Sequence, residues 1–309
     1  MAFSYSTKIK AFLGIGQDFP HAKAISNTRQ ELGEGTLWDD REQVLWWVDI
    51  NAQKLYRYDP QTAEERLYDL GSAIGTVGLR ESGGLIVALA DGFAFFDPKT
   101  EKLEPIADPE SHLPGNRFND GKPGPNGSFY AGTMGYYSEK NAGALYRLDP
   151  DKSVQPILSN ITISNGMAWN AAEDTMFYID TPTRQIMAFD YDKSSGEIAN
   201  GRPAIKIPYG VGYPDGMTID SEDKLWVAHF NGNGVYRWDP ANGRFMESIA
   251  LPATNITCCT FGGANLDTLY IATARIMLSE THLSGEPMAG ALLEVQTAYT
   301  GREAYRFNG

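Results

Sequence analysis

The stretch GEGTLWDDREQVLWWVDINAQKLYRYDP, residues 33–60, decides the fold. A strand enters at Gly35 and a polar turn follows at Asp39–Glu42. Then come the run Val44–Ile50, another turn and the run Lys54–Tyr58. Short β-branched and aromatic runs separated by Asp, Asn, Gly and Pro clusters are strand-and-turn signals, not helix signals.

The pattern recurs along the chain, and a repeat outranks any local reading. The closing Asp-Pro returns at Asp97-Pro98, Asp149-Pro150 and Asp239-Pro240, with Asp190-Tyr191 in its place once. The strand before it recurs as GFAFFDP, GALYRLDP, QIMAFDYD and GVYRWDP. The middle strand recurs as LIVALA, FYAGTM, MFYID, LWVAHF and LYIATA, and the first as TVGLR, NGMAWN, DGMTID and CCTFGG. Aligned, six copies place Glu34, Gly75, Asn119, Asn165, Asp215 and Thr257 at one equivalent position, spaced by 41, 44, 46, 50 and 42 residues.

Repeats of about 40–50 residues match a four-stranded propeller blade. The expectation is therefore an all-β chain: a six-bladed β-propeller of four-stranded antiparallel blades around a central channel. It would span residues 23–309, after an N-terminal arm over 1–22. Lys23–Glu31 should pair with the last blade, because an unclosed ring exposes a strand edge. A β-sandwich or two smaller β-domains is the competing architecture.

Composition narrows the function. Hydrophobic residues make up 42% of the 309, ample for a large core, and 32 Gly with 17 Pro favour a turn-rich chain. A formal net charge of −13, with no basic cluster, argues against nucleic-acid binding. The two cysteines, Cys258 and Cys259, are adjacent in an apolar run and read as buried thiols, not a disulfide framework. No run approaches the roughly 18 apolar residues of a membrane span. The stretch Ala11–Gly16 is too short and glycine-broken for a secretory signal. A cytoplasmic protein, monomeric or weakly self-associating, is expected.

In a propeller the innermost strands flank the channel, so residues at one equivalent position converge on the axis. Here that position reads Glu, Gly, Asn, Asn, Asp and Thr. Two carboxylates and two amides facing one point are costly to bury without a partner. A hard divalent cation supplies one: calcium, magnesium or manganese, with zinc or ferrous iron also accepted by mixed oxygen sites. No GxSxG elbow occurs, and the four histidines (His21, His112, His229, His282) show no ligand spacing. Trp46-Trp47 reads as blade-to-blade packing. Asp120 and Lys122 read as turn and strand-start residues.

Several stretches resemble the senescence marker protein (regucalcin)/gluconolactonase family from about Leu32 to Gly301. They are GEGTLWDD, NRFNDGKPGPNGSFYAGTM, ISNGMAWN, YPDGMTID and TCCTFGGANLDTLYIATAR. The resemblance implies that Glu34, Asn165 and Asp215 are the ligands of one divalent metal ion and that Asp215 is the base that activates water. It implies that Arg117 and Asn119 bind oxygens of a sugar lactone. Animal members carry a Glu in a lid after the AGTM run. Tyr137 stands there in this sequence, a substrate-contacting candidate in the lid segment Tyr136–Gly143. The implied activity is hydrolysis of an aldonolactone. A calcium-binding regulatory protein without major turnover, and an organophosphate or aryl-ester hydrolase, are the alternatives.

Overall fold

The structure, a computed structural model, describes residues 22–309; the arm expected over 1–22 lies, but for Ala22, outside them. Consecutive antiparallel strands form six sheets, over residues 33–69, 74–107, 116–161, 164–206, 213–250 and 255–296. These are blades 1 to 6. The first copy resolves into Gly33–Asp39, Val44–Asp49, Lys54–Asp59 and an outer strand Glu64–Asp69 that is largely exposed. The expected six-bladed propeller is the fold observed.

Each blade is apolar on both faces and is covered by its neighbours. Six separate clusters of buried side chains lie between the six pairs of adjacent blades. Trp46 and Trp47 show why. Successive strand residues point to opposite faces, so Trp46 joins the core shared with blade 2 and Trp47 the core shared with blade 6. Trp47 stacks on Tyr56 with centroids 4.9 Å apart.

Two chain segments close the ring. Lys23–Ala24 adds the fourth strand to blade 6, pairing Lys23 with Glu294, and Arg275 N–H and Ile276 N–H both donate to Glu31 O. The second segment is the C-terminal tail, which the repeat does not foretell. Arg306–Phe307 runs parallel to the inner strand of blade 2, making that sheet five-stranded. On its way the tail meets Leu266 of blade 6, Asp223 of blade 5, Glu173 of blade 4 and Asp39 of blade 1. It ends on Gly127 of blade 3. It thus straps all six blades at the turns that follow their inner strands. Helix is confined, among the described residues, to Glu280–Gly285 and the 3-10 turn Thr181–Thr183.

His229, on the second strand of blade 5, is structural. It is fully buried, stacks on Tyr236 at 3.9 Å, and bonds Val211 O through Nδ1. Burial lowers its pKa from 6.5 to about 3. The unfolded chain therefore binds a proton that the folded chain refuses between those values. Stability from this group is present above pH 6.5 and lost as pH falls toward 3. Denaturant titrations should show wild type losing about 1.4 kcal/mol per pH unit relative to His229→Phe between pH 6 and 4. Parallel pH profiles would contradict the assignment.

Candidate active site at the propeller axis

Every inner strand carries one extra residue relative to its partner, and always at the same place. The register slips between Glu34 and Leu37, Ile74 and Thr76, and Phe118 and Gly121. It does so again between Asn165 and Met167, Pro214 and Met217, and Ile256 and Cys258. A bulge bends its strand and re-aims a side chain. All six bulges fall at or beside the position picked out by the repeat.

The neighbouring strands press close there. A Cβ on Gly75 would lie 2.5 Å from Asn119 O and 2.6 Å from Phe118 O. The space that glycine leaves is thus filled by the backbone of blade 3. Thr257 Oγ1 donates to Gly33 O, Thr76 Oγ1 to Gly121 O and Asn119 Nδ2 to Ser164 O, each reaching the next blade.

These bonds sort the ring into committed and uncommitted oxygens. Asn119 Oδ1 accepts from Arg117 Nη1 at 2.8 Å, so this amide holds the guanidinium. Arg117 Nη1 also donates to Phe118 O. Asn165 Nδ2 donates to Thr181 Oγ1 at 2.9 Å, and Thr181 Oγ1 donates to Pro214 O. Among the described residues, Asn165 Oδ1 is left buried with no partner. Glu34 Oε2 accepts from the N–H of Gly35 at 3.3 Å.

The charges are poorly compensated. Burial, then Asp215 and then Asp120, push the Glu34 carboxyl well above its usual range. Burial and then Asp120 raise Asp215, against the Asn165 amide and the Gly216 N–H. Burial lowers the Arg117 pKa, and Glu34 partly restores it. Two carboxylates beside an unpartnered amide oxygen fit a hard divalent cation. Among the described residues no group of three or more His, Cys, Asp or Glu stands at ligand spacing. The set is of mixed type, with the amide Asn165 as its third member.

Asp120 differs from its sequence reading as a turn residue. It is buried on the axis, its Oδ2 has no partner among the described residues, and it raises the pKa of Glu34, Asp215 and Cys258. The bulge of blade 3 turns both Asn119 and Asp120 inward. A signal existed, since the next residue in the other blades is Gly35, Thr76, Gly166, Gly216 and Cys258, with no charge among them. Lys122 Nζ crosses to Met217 O. Thr181, which orients Asn165, lies outside the repeat and had no sequence signal. Cys258 and Cys259 are buried free thiols.

The structure does not bring Tyr137 onto the buried cluster. Its side chain is 90% exposed, and its N–H donates to Glu139 Oε2. Tyr136 is the nearer ring, close enough to act electrostatically on Arg117.

A model of the SMP-30/gluconolactonase/LRE-like region matches residues 32–275. The chain belongs to this family. YvrE of Bacillus subtilis (strain 168), whose name marks it as a candidate sugar lactone lactonase, is 37% identical over 92% of this chain and 97% of its own. Regucalcin of Xenopus laevis is 36% identical over 88% of this chain and 93% of its own. The crystal structure of a calcium-binding protein, regucalcin, from Agrobacterium tumefaciens superposes with a TM-score of 0.89 at 26% identity. It covers 93% of this chain and 97% of its own. Family membership agrees with the resemblance read from the GEGTLWDD, RFNDGK, SNGMAWN and YPDGMTID stretches.

Thr181 holds the Asn165 amide with its oxygen free. Thr181→Val should weaken divalent-cation binding roughly 10–100-fold by calorimetry, with Thr181→Ser recovering most of it. Unchanged affinity in the valine variant would separate Thr181 from the site.

Proposed function

We propose that this protein is a metal-dependent sugar lactonase, hydrolysing an aldonolactone to the aldonic acid. The observation that carries this reading is the gathering, at one axis, of the buried Glu34 and Asp215 carboxyls and the unpartnered Asn165 Oδ1 beside the buried Arg117 guanidinium. A site built only to hold a cation has no use for a second buried positive charge beside it. A site for an oxygen-rich substrate does. The names of the relatives support the same chemistry.

Glu34, Asn165 and Asp215 would hold the divalent cation, which when bound supplies Lewis-acid charge for the lactone carbonyl. Asp215 takes the proton of the attacking water as the new C–O bond forms, which requires its ionised form. The ring C–O bond then breaks, and the leaving oxygen takes the proton that Asp215 accepted, which completes the hydroxyl of the hydroxy acid and restores the carboxylate. Arg117 is fixed through Nη1 by Asn119 and Phe118 O, which leaves its other N–H donors for substrate oxygens. Asn119 contributes by positioning Arg117, and its second amide N–H remains for a substrate hydroxyl. Calcium binding without turnover is the second reading, favoured by the description of the Agrobacterium tumefaciens relative as a calcium-binding protein.

A pH-stat assay over aldonolactones, after chelation and metal add-back, separates the two readings. Asp215→Asn and Glu34→Gln should each reduce metal-replete turnover at least about 100-fold. Near-wild-type turnover in Asp215→Asn would remove it as the base, and absence of turnover with every metal would leave only cation binding. Tyr136–Gly143 acts in this reading as a lid carrying Tyr137. Its replacement by a short glycine turn should raise KM for the lactone, and an unchanged KM would dismiss the lid.

A further inference from the structure

Four tyrosines stay exposed in two segments: Tyr136 and Tyr137 after the second strand of blade 3, and Tyr209 and Tyr213 at the entry to the inner strand of blade 5, Tyr209 at 82%. Scattered apolar side chains on a surface need no explanation, but Tyr209 and Tyr213 are built into place. The buried Arg184 guanidinium lies 4.8 Å from the centroid of Tyr209 and 4.6 Å from that of Tyr213. Its N–H groups are tied to the carbonyls of Ile207, Pro208 and Gly212. The segment 207–213 is thereby wrapped around one planar cation, and both rings lie within cation–π distance of it.

This assembly is joined to the wall of the candidate site. Arg184 follows the 3-10 turn Thr181–Thr183, whose first residue orients Asn165 and bonds Pro214 O. Tyr213 precedes Asp215 by two residues on one strand, about 7 Å toward the open face. Tyr213 and Tyr209 are thus exposed rings on the segment that leads into the strand carrying Asp215. Ring faces with hydroxyl edges suit a ligand that has apolar C–H faces and hydroxyl rims, and the polar axis already selects a polyhydroxylated ring.

We propose that Tyr209 and Tyr213, clamped by Arg184, form an outer subsite for a second sugar ring, so that the substrate class extends to glycosyl-substituted aldonolactones. The proposal rests on the lactonase reading for the reaction, but the subsite can be tested without turnover. The probes are gluconolactone, cellobionolactone and the ring-opened cellobionate, with wild type, Tyr209→Ala and Tyr209→Phe. Tyr209→Ala should lower kcat/KM for cellobionolactone about tenfold while changing that for gluconolactone less than twofold. Tyr209→Phe should retain most of the preference. Calorimetry should show cellobionate binding weakened in Tyr209→Ala by a similar factor.

Equal losses on both lactones, or no loss on either, would overturn the subsite while leaving the lactonase reading intact. If neither lactone is hydrolysed, the lactonase reading fails, and cellobionate calorimetry alone decides the subsite. A preference for phenyl-substituted over glycosyl-substituted lactones that Tyr209→Ala abolishes would overturn the sugar assignment.

Discussion

A sheet with two apolar faces has no stable place except between two others, and everything else in this protein depends on that constraint. Burial of apolar area is the main favourable term in folding, and each blade offers such area on both sides. One sandwich partner would leave the far face wet. A closed ring solves the problem for all six blades at once, with one core per blade junction. Closure then becomes a requirement, and the chain meets it twice. One segment before blade 1 completes blade 6, and the C-terminal tail strings the blades together at the opposite ends of their inner strands.

The ring creates the axis, and the six bulges decide what the axis contains. A regular strand would direct its side chains into the two neighbouring cores. The extra residue in each inner strand exempts one position from that duty. Gly75 yields its place to the backbone of blade 3, and Thr257 spends its hydroxyl proton on blade 1. Asn119 is occupied with Arg117 and Ser164. What remains is a group of charges whose burial, and then whose mutual repulsion, raises the Glu34 and Asp215 pKa values, and whose cost stability alone does not explain.

The fold was legible because propeller architecture is periodic. The Asp-Pro endings, the aromatic middle strands and the equivalent position from Glu34 to Thr257 are all one-dimensional signals. The outer strands were less so. Glu64–Asp69 and Lys102–Ala107 face solvent and carry little apolar pattern. Within the site, the convergence of Glu34, Asn165 and Asp215 could be read from register. The inward turn of Asp120 was marked only by a charge standing where the other blades carry Gly, Thr or Cys. The Thr181 contact and the Arg184 clamp join segments that the repeat does not align.

By itself, then, the sequence determined the number of blades, their order and the position that faces the channel, because strand patterning and repeat spacing are properties of the chain taken locally. Only the tertiary structure decided which of the six axial residues keep a free oxygen, where the tail runs, and which tyrosines are held at the rim. Those outcomes depend on hydrogen bonds between residues brought together by closure of the ring. A bond such as Thr257 to Gly33, separated by most of the chain, exists only once the last blade has met the first.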